Sequence, residues 1–414
     1  MLTPRLLRPR LERLARTFPV VVVSGARQVG KTTLLKQAFG AVADMVVFDP
    51  VQDIGNARRD PDLFLDNHPA PVILDEIQFV PELVAALKRR IDRDRTPGQY
   101  LLTGSQQWHV LRNLAESLAG RAVFLDLEGF ALGELAAPPA EAPWLEAWLQ
   151  DPEGFPAQPR ERLPLPAPAF ETVWRGTLPE PARLPLEVVP EFWSAYFRTY
   201  VERDVRLLTE VSDWHAFGRF VRLAAALTAQ EINASQLGRD LGLTPQTARR
   251  WLDLLVATFQ WFEVPAFAGN ALKRVSGKAK GHLADTGLAC WAQALSSPAA
   301  LGGHPLWGPL FESFVVADLR KQAATLSLAP RFHHWRSAGG AEVDLLLERD
   351  GRFFPIEIKA KTRVSRADAR GIRAFREAYP HLSIAPGLVI APCERMERLS
   401  EQDWSLPWDL GEQA

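Results

Sequence analysis

From Pro19 to about Glu134, short apolar runs alternate with helical patterns. VVVVSG, MVVFD, PVILDE and QYLLTGS have the length of strands, and the runs around Lys31 to Phe39 and Glu82 to Arg90 have helical spacing. Strands alternating with helices predict a mostly parallel α/β sheet. Ahead of it, MLTPRLLRPRLERLARTFP sets apolar residues at helical intervals among arginines, which predicts an amphipathic helix. The pattern then breaks. AAPPAEAPWLEAWLQDPEGFPAQPRERLPLPAPAFETVW is dense in proline, which lacks a backbone donor and disrupts helix interiors, so a connector with one short helix near Trp144 is expected. Helical periodicity resumes at EFWSAYFRTYVERDVRLLTEV and runs to about Phe262. The last part mixes a helix, PLFESFVVADLRKQAA, with the strands RFHHWRS, EVDLLLER, FFPIEIKAK and PGLVIAP. The expected division is 1–135, 136–190 (connector), 191–300 and 301–414.

Composition narrows the function classes. In 414 residues, 47% are hydrophobic and 23% charged, the balance of a globular protein with more than one core. Because 48 Lys and Arg face 49 Asp and Glu, no overall field draws the chain to polyanions, and nucleic-acid binding must come from local patches. Two cysteines, Cys290 and Cys393, leave no disulfide scaffold or multi-cysteine zinc site. No apolar run approaches the roughly 18 to 20 residues of a membrane span, and the N-terminus lacks the apolar core of a signal peptide. A cytoplasmic protein without a membrane partner is the expectation.

GARQVGKT, Gly25 to Thr32, follows an apolar strand and opens a helical run, which is the context the phosphate-loop motif G-x-x-x-x-G-K-[ST] requires. Gly25, Ala26, Arg27, Gln28, Val29, Gly30, Lys31, Thr32 and Thr33 are therefore the expected ATP-binding segment. Their backbone N–H groups and the helix N-terminus would wrap the β-phosphate. Lys31 would reach the β and γ oxygens and Thr32 would ligate Mg²⁺. PVILDEIQ delivers Asp75 and Glu76 at the end of an apolar strand, Asp75 to hold Mg²⁺ and Glu76 to polarise the attacking water. Ser105, with Gln106, ends the next strand, either as a contact to the γ-phosphate or water, or as a turn with an N-cap serine. Arg121, at a helix-to-strand break, is either an arginine finger for a neighbouring subunit in a homo-oligomer or a surface arginine.

ASQLGRDLGLTPQTARRWLDLLVA, Ala234 to Ala257, has the spacing of a helix-turn-helix, with Thr244 and Pro245 opening a second helix that would expose Gln246, Thr247, Arg249 and Arg250. Contact with DNA and service as a lid or protein contact are both open for this unit. Glu202, Arg203, Asp204 and Arg206 form a mixed-charge run of the solvated kind. Asp285 is placed to cap the helix after it.

In FFPIEIKAKTR, strand alternation puts Glu357 and Lys359 on one face. GAEVDLLLERDG would bring Asp344 beside them on the preceding strand. An acid on one strand and E-x-K on its neighbour is the PD-(D/E)XK nuclease arrangement, in which Asp344 and Glu357 bind Mg²⁺ and Lys359 orients or helps deprotonate water. Glu312, on PLFESFVVADL, would supply a helical carboxylate. Lys361, Arg363, Arg366, Arg370, Arg373 and Arg376 flank the pair as a phosphate-sized basic patch. A charged edge strand is the plainer reading of E-x-K taken alone.

GARQVGKTTLL, LDEIQ, LLTGSQ, SLAGR with FALGEL, YFRTYVERDVR, LADTGL and EVDLLLE followed by PIEIKAK occur in this order over nearly the whole chain. Together they resemble bacterial and archaeal AAA-type ATPases that carry a C-terminal domain of unknown function. The resemblance implies a P-loop NTPase sheet of the additional-strand type with Glu76 as base, a helical winged-helix middle segment, and a C-terminal restriction-endonuclease-like α/β domain. The expected function is Mg²⁺-dependent ATP hydrolysis coupled to DNA binding, with DNA cleavage as a second activity. A nucleotide-switched binding protein with an inactive nuclease-like domain is the alternative.

Overall fold

The computed structural model describes residues 3–49, 54–105, 118–140, 142–200, 205, 213–268 and 277–413. After α1 (Arg8–Ala15), the first sheet is built from β1 (Val20–Ser24), β2 (Asp44–Val47), β3 (Val72–Asp75), β4 (Tyr100–Gly104) and β5 (Ala122–Asp126), with α2 (Lys31–Phe39) and α3 (Leu83–Arg93) among the crossovers. Its order is β2-β3-β4-β1-β5, and every pair is parallel. β1 and β4 are buried at every position, which is why their sequences are continuous apolar runs. β4 separates the phosphate-loop strand β1 from the acid-bearing β3, so the extra strand implied by the resemblance is present. The C-terminal ends of β1, β3 and β4 therefore lie side by side.

The proline-rich segment has the short helix expected near Trp144 and more regular structure besides. It forms α4 (Trp144–Gln150), β6 (Arg160–Arg162) and α5 (Ala169–Arg175), and β6 pairs antiparallel with the chain's last strand, Leu410–Gln413. Trp144, Leu145, Trp148 and Leu149 are all buried in the main core, and the Trp148 ring meets Phe354 edge-on at 5.4 Å. Proline sets the turns here, while tryptophans at helical spacing supply the packing that pins them.

The middle segment continues with α6 (Val189–Thr199), α7 (Trp214–Ala226), β7 (Gln230–Glu231), α8 (Ala234–Leu241), α9 (Pro245–Ala257), β8 (Trp261–Val264), β9 (Lys280–Leu283) and α10 (Thr286–Ala292). Thr244 caps α9 by accepting from the Thr247 N–H at 3.1 Å, and Gly242 takes the left-handed conformation (φ 69°) that ends α8. β7, β9 and β8 form an antiparallel sheet in that order. Asp285 caps α10 by accepting from the Gly287 N–H at 2.8 Å. Glu202, Arg203, Asp204, Arg206 and Gln106 lie outside the described residues.

The last part consists of α11 (Trp307–Ala323), β10 (Arg331–Arg336), β11 (Glu342–Arg349), β12 (Arg352–Ile358), α12 (Arg370–Ala378), β13 (Ser383–Ile384), β14 (Gly387–Ala391), β15 (Glu397–Arg398), β16 (Asp403–Pro407) and β17 (Leu410–Gln413). Its mixed sheet runs β10-β11-β12-β14-β16-β15, with β13 beside β12. One hydrophobic cluster takes in residues from the first sheet, the proline-rich segment, the middle helices and α11. No described helix is long and apolar enough to cross a membrane.

Candidate active site

The phosphate loop leaves β1 at Gly25, where a Cβ would stand 2.0 Å from the Leu127 carbonyl oxygen. Only glycine permits that approach. Gly30 closes the loop at φ 94° and leaves the first turn of α2 without a side-chain cap, so its N–H groups are available to an anion. Lys31 is buried and donates to the carbonyls of Gly25 (2.9 Å) and Ala26 (2.8 Å), with its ammonium in the mouth of the loop. Arg5, which no motif singled out, supports the loop from behind. Its guanidinium donates to Glu134 Oε2 (3.0 Å) and to the carbonyls of Val29 (2.7 Å), Glu128 (2.8 Å) and Gly129 (3.1 Å).

Beside the loop, the Thr32 hydroxyl donates to both oxygens of Asp75, at 3.1 and 2.9 Å. Thr103, from the additional strand, donates to Asp75 as well, and its hydroxyl accepts the Glu76 N–H at 2.9 Å. That bond accompanies a left-handed backbone at Glu76 (φ 58°, ψ 48°), which swings its carboxylate off the end of β3. The Gln78 amide bridges the Glu76 carboxylate and the Ser105 hydroxyl, the latter at 3.1 Å. Lys31, Thr32, Asp75, Glu76 and Ser105 thus come together as expected. Thr103 and Gln78 were missed, although a threonine inside LLTGS is a polar break in an apolar strand. An uncapped helix start, a buried ammonium and a paired hydroxyl and carboxylate fit a nucleotide with Mg²⁺. Arg121 sits elsewhere: it precedes β5, at the N-terminal ends of the strands and so at the opposite end of the sheet from the loop, with Nε and Nη2 on the Asp92 carboxylate at 2.6 and 3.0 Å.

A second charged cluster lies in the last part of the chain. The Asp344 carboxylate on β11 accepts the Ile358 N–H of β12 at 2.9 Å, and Lys359 reaches Asp344 at 3.2 Å and Glu357 at 2.6 Å. Glu312 is joined to Asp344 through a lysine. Its carboxylate meets the Lys280 ammonium at 2.8 Å, and the same ammonium lies 2.7 Å from Glu342 and 3.6 Å from Asp344. Among the described residues, no three carboxylate, histidine or cysteine side chains are arranged to hold a metal ion. A Mg²⁺ shared by Glu312, Asp344 and Glu357 does not fit, because Lys280 already places a positive charge among the acids. Lys280 carries no motif, whereas Glu342 was legible, being two residues before Asp344 on the same strand face.

The protonation pattern follows from these neighbours. Burial, reinforced by Asp344, pushes Glu357 well above the usual carboxylate range, and the same two causes raise Glu312. Burial also acts upward on Asp344, but Lys280 and Lys359 outweigh it and hold it low. Both lysines are raised, since the surrounding carboxylates overcome the cost of burial. A lysine held charged is suited to orienting a ligand. The basic flank is also smaller than expected. Arg376 pairs with Asp403 and Lys361 with Asp368, both at 2.7 Å, while Arg363, Arg366, Arg370 and Arg373 are exposed. On α9, Arg249 pairs with Asp253 and Glu263, leaving Gln246 and Arg250 outward.

Comparison with known proteins agrees with the first sheet. Residues 17–136 match the family model described as an AAA domain. This part of the chain is similar to an AAA-type ATPase domain. Residues 169–299 and 307–410 match two domains of unknown function, DUF8612 and DUF4143. Two mycobacterial relatives, uncharacterized proteins of Mycobacterium tuberculosis and Mycobacterium bovis, are each 29% identical over 401 residues, covering 97% of this chain and 82% of theirs. Similar solved structures include a Walker-type ATPase of Pyrococcus abyssi (TM-score 0.40, 14% identity, 69% of this chain and 94% of that one). The RuvB Holliday junction branch migration motor of Thermotoga maritima is a further one (TM-score 0.29, 17% identity, 66% and 92%). Both likenesses are distant.

Proposed function

We propose that the protein is an ATP-hydrolysing switch that binds nucleic acid, and that its C-terminal domain does not cut. The observation that carries the ATPase reading is the convergence of Lys31, Thr32, Asp75 and Glu76 at the ends of adjacent strands. Lys31 and the first turn of α2 would hold the β- and γ-phosphates, and Thr32 and Asp75 would hold Mg²⁺, which would supply positive charge beside the phosphate oxygens. Glu76, positioned by Thr103 and Gln78, accepts a proton from the attacking water, and Ser105 orients it.

Nucleic-acid binding is supported by the exposed Arg363, Arg366, Arg370 and Arg373 and by Gln246 and Arg250 on α9. The order α7, β7, α8, α9, β8, β9 supports reading the middle segment as a winged helix. α11, β10, β11, β12, α12 and β14 likewise support a restriction-endonuclease-like fold. The arrangement around Lys280 favours binding over cleavage.

ATP turnover and DNA binding measured side by side test this. Glu76→Gln should keep ATP affinity and lose at least about 100-fold in turnover, while Lys31→Ala should lose both. Wild-type turnover in Lys31→Ala would sink the ATPase reading. DNA affinity that is the same with and without an ATP analogue would sink the switch.

A further inference from the structure

Lys280 opens β9 in the middle segment, yet its ammonium lies among the acids of the last part of the chain. Its side chain is 4% exposed, and the Asp344 side chain beside it is 9% exposed. The ammonium contacts Glu312 from α11 and Glu342 and Asp344 from β11. Those carboxylates come from two elements and converge on one ammonium. A positive charge already stands at that point, carried by the chain itself.

The strand that delivers Lys280 is not free to swing away. β9 is the central strand of its sheet, paired to β7 on one side and over four residues to β8 on the other. β8 in turn leads into the last domain: the His334 N–H donates to the Pro265 carbonyl at 3.0 Å, and the Phe267 N–H donates to the His334 carbonyl at 2.7 Å. Phe267 then packs with Trp335, Val343, Leu346, Phe353 and Phe375, against the strands that carry the acids. The Lys280 sheet and the Asp344 sheet are therefore fastened together.

We propose that Lys280 is the resident cation of the C-terminal carboxylate cluster, so that the folded wild-type chain takes no divalent metal there. A group of buried acids that shares a fixed ammonium is already partly neutralised and ion-paired. A metal ion could enter only by displacing that ammonium from the carboxylates it holds. The cluster shares no residue with the phosphate loop or its acids, and Mn²⁺ binding to nucleotide-free protein is read apart from ATP turnover, so success or failure here leaves the ATPase reading untouched.

Mn²⁺ titration of nucleotide-free protein, following free Mn²⁺ by electron paramagnetic resonance, provides the test. Wild type and Asp344→Asn should bind Mn²⁺ identically. Lys280→Met should bind one more Mn²⁺ than wild type, lose it again in the Lys280→Met, Asp344→Asn double variant, and show a rise in Tm with Mn²⁺ that wild type lacks. A Mn²⁺ bound by wild type and lost in Asp344→Asn overturns the proposal. A folded Lys280→Met that gains no Mn²⁺ also overturns it. Should Lys280→Met fold only when Mn²⁺ is present, the metal has replaced the ammonium, as proposed. Should it not fold at all, wild type against Asp344→Asn still decides.

Discussion

A methyl group at position 25 would lie 2.0 Å from the Leu127 carbonyl oxygen, so Gly25→Ala must move either the phosphate loop or the segment after β5. Loss of ATP-analogue binding with secondary structure preserved is the expected result, read by a fluorescent analogue and circular dichroism. His282 makes a different kind of demand. It is wholly buried, stacked on Phe262 with one ring nitrogen 3.0 Å from the Ser313 hydroxyl. Burial first, then Lys280, Arg320 and His334, hold it well below the ordinary imidazole range, with Asp344 opposing. The unfolded chain takes up this proton near pH 6.5 and the folded chain does not, so unfolding gains a proton below that pH. Stability contributed by the neutral ring is complete above about pH 6.5 and falls as pH drops towards the folded value, by up to about 1.4 kcal/mol per pH unit. Urea midpoints at several pH values, compared with His282→Asn, check this. Parallel curves for the two proteins would contradict it.

Among the elements, β12 with the loop and α12 beyond it carries the nucleic-acid reading. Arg363, Arg366, Arg370 and Arg373 face solvent, so replacing all four by alanine should weaken DNA binding uniformly across sequences. The slope of log affinity against log salt should become shallower by about 0.9 for each duplex phosphate that an arginine no longer neutralises. Arg376→Ala should leave that slope alone and lower stability instead, since Arg376 is bound to Asp403. An unchanged slope in the fourfold variant would remove this surface from consideration. How legible each element was depended on how local its signal is. The phosphate loop and the Asp344, Glu357 and Lys359 group were readable because their chemistry lies in one contiguous stretch or in the alternation of two neighbouring strands. Lys280 was not, because its partners are 32 to 64 positions away on other elements and nothing beside it in sequence marks the contact. In the proline-rich segment the short helix near Trp144 was legible, because Trp144 and Trp148 stand one helical turn apart, whereas the pairing of Arg160–Arg162 with the last strand was not, because its partner lies about 250 positions away.

At the scale of the whole molecule, the proline-rich segment is packed into the core that the first sheet and the last part of the chain share. α4 packs through Trp148 on Phe354 of β12. Arg162 of β6 binds Asp409, and α11 is bonded back to the end of the AAA domain. The Leu132 N–H donates to Asp318 at 2.6 Å, Arg320 reaches Glu128 at 3.0 Å, and Lys321 reaches the Phe130 carbonyl at 3.0 Å. Domains joined through a common core and this many polar contacts should unfold together, so stabilisation at the nucleotide site should be felt throughout. Of the 13 tryptophans, only Trp108 falls within residues 17–136, so intrinsic fluorescence reports almost entirely on the rest of the chain. Saturating ATP analogue at about 100 times its Kd adds about 2.7 kcal/mol to the native state, and the tryptophan-detected Tm should rise with it. Trp148→Ala, which empties a fully buried site at the junction, should cost about 3 to 5 kcal/mol and reduce the rise that the nucleotide gives. If the analogue instead shifts a calorimetric transition while the tryptophan midpoint stays put, the AAA domain unfolds on its own and the contacts along α4 and α11 do not couple it to the rest.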